Sequence, residues 1–130
     1  AMQMIDEKLG GSRIVDHNLD VTNPENGYYW RTEDGLQVCW YHNKRVADLN
    51  IAPGYSGKIG DYPYPAAFIS PPAGGGSGFA TTGTGDVTGI PIQVRCWDLS
   101  WLDTRLRNTT SGITISEVRN LSLFAIGRWK

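Results

Sequence analysis

The sequence is expected to fold as an all-β protein, an antiparallel β-sandwich of about six to eight short strands. Three observations predict this. Residues 27–41 hold two aromatic and β-branched runs on either side of Glu33, Asp34 and Gly35, and Asp-Gly between alternating apolar residues is a strong hairpin signal because glycine accepts the positive φ of the turn. Sixteen glycines and seven prolines are spread along 130 residues as punctuation, which suits many short strands better than helices. Apolar residues recur with a period of two in several short runs, as in a strand with one buried face.

Taken in order, residues 1–26 are expected to form a connector or the end of a stalk. Residues 3–9 suit one or two helical turns with Ile5 and Leu9 on one side, too short to stand alone, since isolated helices need about 12–15 residues. Gly10, Gly11 and Ser12 read as a flexible joint, and Arg13 to Val15 as a short extended run before polar turn residues. Residues 27–130 are expected to be the sandwich itself. In the second arm of the hairpin Leu36, Val38 and Trp40 point one way and Gln37, Cys39 and Tyr41 the other. Val46 to Ile51 reads as a strand, followed by a loop rich in tyrosine and glycine. Tyr62 to Pro65 is extended, because a residue before proline is pushed toward β or polyproline geometry. Ala66 to Ile69 reads as a short strand stopped by Pro71 and Pro72.

Residues 73–89 are mostly Gly, Thr and Ser with almost nothing apolar to bury, and read as a long surface loop or an irregular hairpin. Ile90 to Trp97 alternates as a strand, with Pro91 at its start where proline is tolerated. Leu99, Leu102 and Leu106 have helix-like spacing that Trp101 and Thr104 interrupt, so a wide loop with one helical turn is an equal expectation for 98–108. Residues 113–118 and 121–129 close the chain as two strands or one long bulged strand. Leu121, Leu123 and Ala125 alternate with Ser122, Phe124 and Ile126, which suggests burial on both faces, either mid-sheet or beneath another subunit.

Composition excludes several classes. Twelve Lys and Arg stand against thirteen Asp and Glu, leaving no field to steer the chain to nucleic acid or anionic lipid. No apolar run approaches the roughly 20 residues of a membrane helix, and membrane insertion is not expected. Cys39 and Cys96 are each inside an expected strand with opposite apparent parity, Cys96 toward the core. Two free, packed thiols are favoured over a disulfide, and two unclustered cysteines make a metal site unlike the known patterns. No metal or cofactor is expected.

Three segments resemble a known family. Asp34 to Trp40, Tyr64 to Ile69 and the terminal Phe124 to Lys130 occur in the same order as motifs of bacteriophage and prophage tail-fibre C-terminal domains. The resemblance covers residues 27–130. It implies a receptor-binding tip similar in fold to H-type lectins, small sandwiches that form closely packed or intertwined homotrimers and bind sugars at subunit interfaces. It also implies a virion component at the distal end of a tail fibre, made in the host cytoplasm, with a bacterial surface glycan as partner. The Gly/Thr stretch at 73–89 and the segment from Trp97 to Arg107 depart from the common pattern.

Candidate ligand contacts follow from the aromatic and charged residues outside the regular runs. Trp30 and Trp40 read as core residues, and Trp129 as core or subunit interface. Trp97 and Trp101 bracket Asp98 and lie beside Asp103 and Arg105; indole faces stack on the C–H side of sugars, while carboxylates and guanidinium groups bond hydroxyls. The alternative for Asp103 and Arg105 is a surface ion pair of small effect. Tyr55, Tyr62 and Tyr64 form a second cluster of adaptable contacts, or a loop packed on itself.

A catalytic role is not expected. His17 and His42 stand apart, no nucleophile-elbow or zinc-helix motif occurs, and two carboxylates such as Asp98 and Asp103, which suit the roughly 5–10 Å geometry of a glycosidase, could equally face opposite sides. The sequence thus points to a non-enzymatic receptor-binding tip. A structural trimerisation cap without ligand, or a polysaccharide depolymerase fragment, are the alternatives.

Overall fold

The computed structural model describes residues 13–82 and 84–130, so the helical turns expected over 3–9 and the joint at 10–12 lie outside the described residues. Nine strands form two antiparallel sheets, and no helix occurs among the described residues. The strands are β1 (Ile14–His17), β2 (Tyr28–Thr32), β3 (Leu36–Val46), β4 (Ser56–Pro63), β5 (Ala73–Thr81), β6 (Asp86–Val87), β7 (Ile92–Arg95), β8 (Trp101–Arg107) and β9 (Glu117–Arg128). The larger sheet runs β1-β2-β3-β9-β5-β6 and the smaller β4-β8-β7. Their inner faces enclose one core built on Ile115, Val118, Leu121, Leu123, Leu102 and Leu106. This is the sandwich that alternation and turn residues predict.

The hairpin forms with Tyr28 opposite Trp40 and Arg31 opposite Gln37. Gly35 takes φ 101° in its turn, and the chain end passes beside it, with the Trp129 N–H donating to the Gly35 carbonyl at 2.9 Å. The face that β3 buries is the reverse of the tryptophan-based expectation. Gln37, Cys39 and Tyr41 point into the core, whereas Trp30 and Trp40 are half-buried on the outer face. Gln37, 0% exposed, is accommodated because its amide is satisfied: it donates to the Ala66 carbonyl at 2.8 Å and accepts from Arg31 Nε at 2.5 Å. Both cysteines are free thiols; Cys39 is buried and Cys96 partly so.

β1, in the stretch expected to be a connector, is the edge strand of the larger sheet. Asn18 fastens it, accepting from the Tyr29 N–H at 2.7 Å and donating to the Gly27 carbonyl at 2.9 Å.

Of the loop and the irregular hairpin expected over 73–89, the hairpin is what forms. β5 lies beside β9 along most of its length, and its end pairs with β6 through Ala80 opposite Val87 and Thr81 opposite Asp86. A Cβ on Gly74 would sit 2.7 Å from Cys96 Sγ, and one on Gly76 would sit 3.2 Å from a Val94 methyl. Glycine lets β5 approach the β7 side of the sandwich with no side-chain layer between them. The hydrogen-bonded ladder, rather than apolar side chains, holds this strand in place.

Four other expectations are corrected. Residues 101–107 form β8, in which Leu102, Thr104 and Leu106 alternate into the core, while Leu99 lies in the preceding turn. The tyrosine- and glycine-rich loop is largely β4, paired with β8 from Ser56 opposite Arg107 to Pro63 opposite Trp101. Ala66 to Ile69 is irregular: the Phe68 N–H donates to Leu99 and the Ile69 N–H to Arg128, so the segment bridges the two sheets instead of joining one. Beyond Val46 the chain leaves β3, and Ile51 forms only an isolated bridge to Ile115.

β9 is one long strand and lies mid-sheet, between β3 and β5. Leu121, Leu123 and Ala125 are buried, but Phe124 and Ile126 remain 45% and 43% exposed. The double burial expected from two apolar parities therefore does not occur among the described residues.

Candidate functional site

Alternation along β8 sends Leu102, Thr104 and Leu106 inward and Trp101, Asp103, Arg105 and Arg107 to the outer face of the smaller sheet. Cross-strand register completes that face. Asp103 lies opposite Arg95 on β7 and Asp61 on β4, and Arg105 lies opposite Gln93 and Lys58. Trp97 follows β7 and meets Trp101 edge-to-face, with ring centroids 4.9 Å apart and planes at 82°. This is a favoured aromatic geometry, and it leaves Trp97 56% exposed. Lys58 holds its ammonium 5.9 Å from the Trp101 ring centre and 2.7 Å from Asp61 Oδ2.

The Asp103–Arg105 ion pair, the alternative to ligand contact, does not form, and Asp103 pairs with Arg95. Arg95 forks onto Asp103, with Nε 2.8 Å from Oδ1 and Nη2 2.5 Å from Oδ2. Directly opposed residues on neighbouring strands have Cβ atoms about 4.5–5.5 Å apart, closer than residues two apart on one strand, so Arg95 reaches the carboxylate first. Asp103 is 1% exposed beneath this cover. The Arg95 hydrogen bonds hold its carboxyl below the usual carboxylate range against the opposing effect of burial, and the Trp97 indole adds to the lowering. An acid held low keeps its charge near neutrality and is unsuited to donating a proton. Asp98 accepts from the Ser100 N–H at 2.9 Å and fixes the turn that carries Trp97 toward Trp101.

The tyrosine cluster is dispersed. Tyr62 packs edge-on against Tyr41 with centroids 5.2 Å apart, and Tyr64 is buried against Phe68 at 4.8 Å. Only Tyr55 is solvent-facing, 67% exposed, and it precedes the end of β4 that pairs with Arg107, far from Trp101. The structure thus brings together Trp97, Trp101, Asp103 and Arg105, sets Asp98 beneath them as a turn anchor, and leaves Tyr55, Tyr62 and Tyr64 apart. Sequence reasoning missed Lys58, Asp61 and Arg95. Reading 101–107 with a period of two would have placed Trp101, Asp103 and Arg105 on one face, and the alternation of β7 would have added Arg95 and Trp97.

The outer face of the larger sheet has the opposite chemistry. One row across four strands runs Trp30, Val38, Ile126 and Ala73, and the next runs Tyr28, Trp40, Phe124 and Gly75. Tyr28 and Trp40 stack at 5.5 Å. An open hollow of about 430 Å³ beside Phe124 is lined by Trp40, His42, Gly76 and Ser122. A larger hollow of about 620 Å³ lies by the β5–β6 edge, between Phe79, Val87 and Pro91, away from the paired indoles. No group of three or more His, Cys, Asp or Glu that could hold a metal occurs among the described residues.

No protein-family model and no curated protein matches this chain. Solved structures of similar fold include the N-truncated R1-type pyocin tail fibre, with a TM-score of 0.55 and 13% identity over 98% of this chain and 96% of that one. A longer piece of the R1 pyocin fibre of P. aeruginosa gives a TM-score of 0.58 and 13% identity over 98% of this chain. The present chain spans 31% of that longer fibre. At this identity the likeness is one of fold.

Proposed function

We propose that this chain is a receptor-binding domain at the distal end of a phage or phage-tail-like fibre, which binds a bacterial surface glycan through the outer face of its smaller sheet. The observation that carries this reading is the exposed Trp97–Trp101 pair, held in fixed geometry by β7, β8 and the Asp98 turn and ringed by ordered charges. Such a surface offers apolar faces to sugar rings and oriented polar groups to their hydroxyls. A rigid sheet holds both at little entropic cost. The shared fold with the R1-type pyocin tail fibre supports the setting.

The reading is of a binder and not an enzyme, and the ion-paired Asp103 supports that choice. Assembly is as a homotrimer, supported by the apolar rows on the larger sheet, where Phe124 and Ile126 are exposed and would gain burial against another copy. A single millimolar site supplies about 4 kcal/mol, and linked sites on one fibre raise avidity by about 10²–10⁴ without new contacts.

Adsorption of the purified chain to a panel of bacterial strains tests the reading. Trp97→Ala and Trp101→Ala are expected to lower cell binding at least tenfold while leaving the fold intact. Unchanged binding by both variants would instead favour a structural cap, the reading that the apolar outer face of β9 supports by itself. Sedimentation should show a trimer that Phe124→Lys converts to monomer; a stable wild-type monomer sinks the assembly claim.

A further inference from the structure

On the outer face of the smaller sheet the charges do not balance. Lys58, Arg95, Arg105 and Arg107 stand against Asp61 and Asp103, and each carboxylate is already taken, Asp61 by Lys58 and Asp103 by Arg95. Among the described residues Arg105 and Arg107 have no ion-pair partner. Arg105 Nε is buried and without a hydrogen-bond acceptor, a state that folded proteins rarely leave uncompensated. Arg105 lies four residues from Trp101 on the same face of β8, about 13 Å along a strand. Lys58 bridges the interval, since it sits opposite Arg105 in register yet holds its ammonium against the Trp101 ring.

We propose that this face selects an acidic saccharide, with the sugar ring on Trp101 and Trp97 and a carboxylate or phosphate group on the Arg105 guanidinium. The inference rests on the glycan-binding reading above and adds the charge of the ligand. A guanidinium fork matches a planar carboxylate or a phosphate in two parallel hydrogen bonds, and Arg105, nearer Trp101 along β8 than Arg107, is a fork that no carboxylate among the described residues occupies. Lys58 adds positive potential without competing for the same oxygens, because its ammonium is turned toward Asp61. A neutral sugar would use the indoles and leave the Arg105 guanidinium without an anionic partner, so discrimination comes from that unpaired cation.

The test is a titration of the whole chain with maltose, its glucuronate-ended counterpart and its phosphate monoester, followed through the tryptophan indole and arginine Nε–H signals at low ionic strength. Both acidic sugars are expected to bind at least tenfold more tightly than maltose and to move the Trp97, Trp101 and Arg105 signals together; their order identifies carboxylate or phosphate as the better source. Arg105→Gln should abolish the preference and keep the maltose affinity, whereas Trp101→Ala should weaken all three. Should Arg105→Gln not fold, Arg105→Lys should retain charge but lose most of the preference. Equal binding of neutral and acidic sugars, a preference that survives Arg105→Gln, inorganic phosphate binding as tightly as the phosphate ester, or no movement of the indole signals each overturns the proposal. If cell adsorption still depends on Trp101 in that case, glycan binding stands and only the charge selection falls.

Discussion

Gly76→Ala, read beside Gly75→Ala, distinguishes a packed strand from a surface loop over 73–81. The two glycines are neighbours on β5 and point to opposite faces. A Cβ on Gly76 would lie 2.6 Å from the Ser122 carbonyl oxygen and 2.7 Å from Leu123 Cδ2. One obstacle is backbone of the adjoining strand and the other a buried core side chain, so neither moves aside cheaply. Overpacking of this kind costs about 1–3 kcal/mol. At this chain length that is a fall in melting temperature of about 4–12 °C. A Cβ on Gly75 meets only the edge of the Phe124 ring, at 3.2 and 3.3 Å, and that ring is half-exposed and free to shift. Alanine there also removes unfolded-state freedom, worth about 0.4–1 kcal/mol in its favour. The expected result is a clear loss for Gly76→Ala and a neutral or slightly stabilised Gly75→Ala, measured by thermal and guanidinium melts at one protomer concentration. Two variants that both melt within 1–2 °C of wild type would refute the strand packing and return the segment to a loop.

Other outcomes follow from the buried polar groups. Asp103 has its folded-state carboxyl below the ordinary value through Arg95, so its stabilisation is present above the unfolded value of about 3.9 and is lost as pH falls through the lower folded value. Asp103→Asn should therefore be less stable than wild type at pH 7, with the gap closing in acid melts near pH 2–3; an equal gap at both pH values contradicts the ion-pair account. Burial pushes the Cys39 thiol up to about 12, which leaves about a thousandfold less thiolate than an ordinary thiol at pH 8. Iodoacetamide followed by mass spectrometry should leave Cys39 unmodified in the native protein, with Cys96, also raised by burial, reacting slowly. Native Cys39 alkylation at the rate of free cysteine would show that the Gln37 and Ala66 cover is open.

The hairpin, the all-β class and the β character of the chain end were legible because they depend on local signals: an Asp-Gly turn, proline and glycine punctuation, and period-two alternation. Alternation groups side chains by face without saying which face meets the core. Trp40 looked like a core residue on size alone, yet Gln37 occupies the interior because Arg31 and Ala66 satisfy its amide. β5 was illegible for a related reason. Its glycines bury nothing themselves, and their use appears only when β7 is brought against them. At the candidate site, Trp97 and Trp101 were found as unplaced aromatics, but Lys58, Asp61 and Arg95 look like ordinary surface charges until strand pairing aligns them.

By itself the sequence determined the class of local structure, because turn chemistry and side-chain period are properties of a few adjacent residues. Only the tertiary structure decided that Arg95, and not Arg105, neutralises Asp103, since β7 delivers the closer guanidinium from across the strand. That pairing, made between residues eight apart in sequence, is what leaves Arg105 without an ion pair on the face that carries the two edge-to-face indoles.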